Sequence, residues 1–112
     1  MNIHQITFSP TGGTRRVSEL LCKGIAADSN LTELCTKLEN LKYPIINADD
    51  LIVISMPVYA GRVPALAVER LKGIKANGAK CAIVAVYSNR AYEDALVEMQ
   101  DIASEIGFQV IA

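Results

Sequence analysis

At 112 residues, with 51% apolar and 21% charged side chains, the chain has the composition of one folded domain with a single core, which excludes a disordered or fibrous protein. A formal net charge of -1 leaves no cationic field to gather nucleic-acid phosphates, so a DNA or RNA partner is not expected. Apolar runs such as residues 51–56 fall far short of the roughly twenty residues that a membrane helix needs, so no membrane span is expected either.

Five short runs rich in apolar and β-branched residues read as strands: 3–8, 31–35, 51–56, 81–87 and 108–111. Between the first two, Val17, Leu20, Leu21, Gly24 and Ile25 recur at helical spacing and predict a helix with that face inward. The segment 39–48 contains Pro44 and no sustained helical stripe, which leaves a short helix and an irregular loop both open. A helix is expected between Pro64 and Ile74, from Val63, Ala67, Leu71 and Ile74, with Pro64 in its first turn. Asn77-Gly78 marks the turn into the fourth strand. A last helix carries Ala95, Met99, Ile102, Ala103 and Ile106 on one face and leaves through Gly107.

Strands as uniformly apolar as 51–54 and 81–86 are expected where helices cover both faces of a parallel sheet. The alternation of strand and helix therefore predicts an α/β fold, an open five-stranded parallel sheet wound in both directions by right-handed crossovers. Residues 1–112 read as a single domain of that kind. The sequence stops just after the fifth strand begins, with no helix after it to cover that side of the sheet. The expectation is a C-terminally shortened domain or fragment with an exposed apolar face, open to a partner or to a second copy.

In such sheets ligands bind outside the carboxyl ends of the strands, where the winding direction reverses, so chemistry is expected in the loops after strands one, three and four. The first is Ser9-Pro10-Thr11-Gly12-Gly13-Thr14, running straight into a helix. Its glycines allow a tight turn and close approach, the helix start offers unpaired N–H groups, and three hydroxyls can donate further hydrogen bonds. That set can hold a phosphate without a lysine; taken alone, it is equally a capped helix start. Arg15 and Arg16 follow, as added positive potential or as solvated charges.

After strand three, Pro57-Val58-Tyr59-Ala60-Gly61-Arg62-Val63-Pro64 offers an aromatic ring and a glycine between prolines. After strand four, Ser88-Asn89-Arg90-Ala91-Tyr92 brings amide, guanidinium and phenol to the start of the next helix. Aromatic and polar groups on two walls, with a phosphate cradle at one end, suit a phosphorylated planar ligand. His4, the only histidine, sits at the opposite end of the first strand, so hydrolysis by a Ser-His-Asp set is not expected and a plain strand or surface role is. Cys22, Cys35 and Cys81 are odd in number and widely spaced, which points to buried free thiols rather than disulfides or a metal site.

Ser-Pro-Thr-Gly-Gly-Thr resembles the phosphate loop of flavodoxins, and Pro-Val-Tyr-Ala-Gly-Arg-Val-Pro and Asn-Arg-Ala-Tyr-Glu-Asp-Ala-Leu resemble flavodoxin-like domains that anaerobic microbes fuse to a ferredoxin module with two [4Fe-4S] clusters. The resemblance spans essentially the whole chain. It implies the flavodoxin-like strand order 2-1-3-4-5 with the last helix missing, and flavin mononucleotide (FMN) as cofactor. It implies that Ser9, Thr11, Gly12, Gly13 and Thr14 bind the phosphate. It also implies that Pro57, Val58, Tyr59, Ala60 and Gly61 line one side of the flavin, and Ser88, Asn89, Arg90 and Tyr92 the other. Ser88 stands where the family commonly has glycine, and the ferredoxin module is absent.

The function expected on this basis is electron transfer by a flavoprotein, with no catalytic residue of its own and a redox partner protein such as a ferredoxin. The alternatives are an FMN-dependent NAD(P)H or quinone reductase and a cofactor-free interaction domain that keeps the fold. The N-terminus lacks the basic and apolar stretches of a secretory signal, so a cytoplasmic protein is expected, with self-association through the uncovered sheet face.

Overall fold

The computed structural model describes residues 3–8, 13–25, 30–34, 41–58, 64–87 and 93–111. Their elements run β1 (Ile3–Thr7), α1 (Gly13–Ile25), β2 (Asn30–Glu33), β3 (Leu51–Val58), α2 (Ala65–Leu71), β4 (Lys80–Tyr87), α3 (Glu93–Ile106) and β5 (Gln109–Val110). The strands form one parallel sheet in the order β2-β1-β3-β4-β5, as expected for the flavodoxin-like fold.

Alternate residues of each strand serve opposite faces. Ile6, Ile52, Ile54, Met56 and Cys81 join Ala67 and Leu71 of α2 and Met99 and Ala103 of α3 in the larger core. Ile3, Val53 and half-buried Leu51 and Val84 pack on the other face around Cys22 of α1. The core thus lies on both sides of β1 and β3, which explains why β3 is so continuously apolar.

Two residues of the face expected for helix α1 turn outward, while the side chains of Leu21, Gly24 and Ile25 lie outside the described residues. Val17 is 40% and Leu20 66% exposed, whereas Ser18 and Cys22 are buried. The reason lies in β1, which turns the buried amide of Gln5 toward α1, so that the Ser18 hydroxyl donates to Gln5 Oε1 at 3.0 Å. A small hydroxyl that satisfies a buried amide is worth more there than a larger apolar group that would leave it unpaired.

Residues 41–50 form no helix. This part of the connection is irregular, and it is pinned instead by Tyr43, whose hydroxyl donates to Arg70 O at 2.8 Å, and by Asn77, whose amide donates to Ile46 O at 2.7 Å. Pro64 precedes α2 rather than entering its first turn, and its carbonyl accepts from Val68 N–H at 3.2 Å, opening the helix. Asn77 (φ 54°) and Gly78 (φ 76°) lie between Ala76 and Ala79, whose N–H donates back to Ala76 O at 3.0 Å, closing the expected turn.

On the α1 side, β4 is reached by α1 only in part, through Val84, which packs on the cluster around Cys22. Ala82, Val84 and Val86 are half-buried there and Ile111 is exposed. Among the described residues no helix is long and apolar enough to cross a membrane.

Candidate functional site

The site expected from the sequence lies where β1, β3 and β4 end. These strands are adjacent and parallel, so the chain leaves all three at the same edge of the sheet. Strand β1 stops pairing first: Thr7 faces Ser55, Phe8 N–H donates the final bond to Ser55 O at 3.3 Å, and β3 continues beside β4 as far as Val58 opposite Tyr87.

Proline explains the early stop. In a parallel ladder every second residue turns its N–H and C=O to the same neighbour, so after Ser55 the next donor toward β1 belongs to residue 57. Pro57 has no N–H, which ends the ladder on that side. Pro57 itself is buried and still registers with Val86 of β4. The point at which β1 and β3 stop pairing is therefore written into one residue.

Gly13 and Thr14 form the start of α1. The first turn of this helix carries no acidic residue, Arg16 is exposed beside it, and the unpaired N–H groups of the turn present a partial positive charge at the same edge. Val58 and Tyr87 bring the second and third loops out side by side. Ser9, Thr11, Gly12, Tyr59, Ala60, Gly61, Ser88, Asn89, Arg90 and Tyr92 lie outside the described residues. Of the expected ligand residues, Gly13, Thr14, Pro57 and Val58 have described backbones, all at the carboxyl edge.

Two polar features at this edge were not singled out from the sequence. The Thr7 hydroxyl donates to Glu33 Oε2 at 2.7 Å, tying β1 to β2 at their last paired residues. Ser55, fully buried, has a side-chain hydroxyl with no hydrogen-bond partner. The signal for Ser55 was a lone hydroxyl inside the apolar run Leu51-Ile52-Val53-Ile54-Ser55-Met56; read as strand, the run hid it.

Two concave features lie elsewhere. One is a hollow between Tyr43–Ile46 and Gly73–Asn77 near the amino ends of β3 and β4, and the other a shallow groove between α2 and α3 lined by Val68, Lys72, Val97 and Ile102. Neither contains any of the loop residues expected to bind a ligand. His4 is at the opposite end of β1 from the candidate site, buried and bonded to Asp50, in a structural setting. Cys22 and Cys81 are buried free thiols, and desolvation raises the pKa of both, Cys81 to about 11. Cys35 lies outside the described residues.

No family model matches the sequence, and no curated protein matches it by sequence. Solved structures do match in shape. A flavoprotein in complex with FMN from Lactobacillus acidophilus superposes with a TM-score of 0.66 at 17% identity, over 98% of this chain and 89% of that one. A candidate flavoprotein from Bacteroides eggerthii gives a TM-score of 0.68 at 15% identity, over 97% of this chain and 85% of that one. With the strand order and parallel register, these likenesses establish that the chain has the flavodoxin-like fold.

Proposed function

We propose that this protein binds FMN at the carboxyl edge of β1, β3 and β4 and acts as an electron-transfer domain. The observation that carries the reading is the coincidence at one edge of a glycine- and hydroxyl-rich loop, an acid-free helix start, and two loops bearing tyrosines. The likeness to a flavoprotein in complex with FMN supports it.

In this reading Ser9, Thr11, Gly12, Gly13 and Thr14 hold the phosphate through hydroxyls and backbone N–H groups, assisted by the dipole of α1. Residues 57–61 take one side of the flavin, with Tyr59 against the ring. Ser88, Asn89, Arg90 and Tyr92 take the other. Bound FMN would supply the redox chemistry, while the chain binds, orients and shields it. The sequence phrases shared with flavodoxin–ferredoxin fusion proteins favour a ferredoxin-like protein as the electron partner.

The test is titration of the purified protein with FMN and with riboflavin, followed by flavin fluorescence and visible absorption. Tight FMN binding with much weaker riboflavin binding supports the phosphate cradle. Binding of neither sinks the proposal and leaves a cofactor-free interaction domain. Rapid reduction of the bound flavin by NADH or NADPH alone would instead favour a reductase.

A further inference from the structure

The packing of α1 on the sheet sets a scale. Cys22 lies with Ile3 in one cluster, and four residues earlier in the helix Ser18 meets Gln5, two residues further along the strand. The steps match because four helical residues rise about 6 Å and two strand residues about 6.6 Å, in opposite chain directions. One more step of the same size leads from Ser18 to the first turn of α1 and from Gln5 to Thr7, whose neighbour across the ladder is Ser55. Ser55 is on the α1 face of β3, in phase with Leu51 and Val53, which pack in the α1-side cluster. Its side chain is therefore directed beneath the N-terminus of α1.

Two hydroxyls share this rung. That of Thr7 donates to Glu33 at 2.7 Å, while that of Ser55 is without a partner although the residue is 0% exposed. A buried hydroxyl without a partner is destabilising, and native structures seldom keep one without a use. The anion-attracting end of a helix, with an unspent O–H donor beneath it, supplies what a phosphate oxygen accepts.

We propose that Ser55 is a phosphate-binding residue, its hydroxyl donating to an oxygen of a phosphate monoester held at the α1 N-terminus. The inference rests on the FMN reading for the identity of the ester, but the chemistry it assigns to Ser55 is that of any phosphate at this site. The Glu33 carboxylate, on β2, is held by Thr7 on the far side of β1 from Ser55.

The experiment compares wild type with Ser55→Ala, which removes the hydroxyl, and with Ser55→Cys, which keeps the size and weakens the donor. Kd is measured for FMN and riboflavin, and urea midpoints are measured for ligand-free protein with and without inorganic phosphate. Loss of one hydrogen bond to a charged group predicts that Ser55→Ala raises the Kd for FMN about tenfold. Riboflavin affinity should be unchanged, ligand-free stability equal or greater, and Ser55→Cys intermediate. An unchanged ratio of FMN to riboflavin affinity in both variants, in a wild type that prefers FMN, overturns the inference while leaving the FMN reading intact. If wild type shows no preference for FMN, the FMN reading fails and inorganic phosphate decides. A phosphate-induced rise in midpoint present in wild type and lost in Ser55→Ala upholds the role of Ser55, and no difference between the two overturns it.

Discussion

His4 Nε2 donates to Asp50 Oδ2 across 3.1 Å in a buried setting, 46 residues apart in sequence, and the same carboxylate oxygen accepts from Asn47 N–H at 2.9 Å. One carboxylate therefore locks the turn before β3 to the amino end of β1. Asp50→Ala strips one buried and one part-buried donor of their acceptor, and the loss should cost about 2–3 kcal/mol. Urea denaturation should show that loss. Flavin affinity should not change, because the pair sits at the opposite edge of the sheet from the candidate site.

Phosphate recognition by the 9–14 loop makes a second prediction. Thr11→Ala and Thr14→Ala each remove a hydroxyl assigned to the phosphate, so each should weaken FMN binding by about 1–2 kcal/mol while leaving riboflavin binding as it was. Parallel titrations of both ligands check this. Equal losses for FMN and riboflavin would show that the loop supports the flavin ring or the fold rather than the phosphate.

The thiols predict how stability depends on pH. Cys81 is raised from 9.0 to about 11 by desolvation, so between those values the unfolded chain ionises this thiol and the folded one does not. The unfolded state then binds fewer protons, and stability must fall as pH rises above about 9, by at most about 1.4 kcal/mol per pH unit from this group. Cys22, raised in the same direction, adds to the slope. Comparing urea midpoints of wild type and Cys81→Ala from pH 8 to 11 isolates the contribution, which the substitution should remove. A thiol reagent at pH 8 should also leave Cys22 and Cys81 unmodified until the protein is unfolded.

Gly107 ends α3 at φ 114°, with its own N–H donating to Ser104 O at 3.2 Å and Phe108 N–H donating to Ala103 O at 3.0 Å. This is the paired-bond helix exit that requires a left-handed residue, and it delivers buried Phe108 to the core beside Ala103. A Cβ at 107 would meet Ala76 Cβ at an ordinary 3.7 Å, so a side chain has room there. Gly107→Ala should therefore cost about 1–2 kcal/mol through backbone strain alone. The urea midpoint should drop with the slope unchanged.

Local signals in this chain were legible wherever a residue type has one dominant physical use. Gly107 and the Asn77-Gly78 turn stand where left-handed backbone is needed, and the buried face of α3 follows its apolar stripe through Met99 and Ala103. The α1 stripe misled at Val17 and Leu20, because periodicity counts apolar side chains and cannot know that β1 opposes the helix with an amide. Ser18 lies inward because Gln5 does, and that pairing exists only once strand and helix are packed. Segment 39–48 was undecidable for a similar reason: its described part takes its order from Arg70 and Asn77, residues remote in sequence.

By itself the sequence determined the alternation of strands and helices, the parallel sheet, and the three loops worth examining, since these follow from side-chain periodicity and turn chemistry along a short stretch of chain. Only the tertiary structure decided what each polar residue inside the sheet faces. His4 found Asp50, Thr7 found Glu33, and the buried hydroxyl of Ser55 was left without a partner. Hydrogen bonds between distant residues depend on register, and register is a property of the assembled sheet rather than of any one strand.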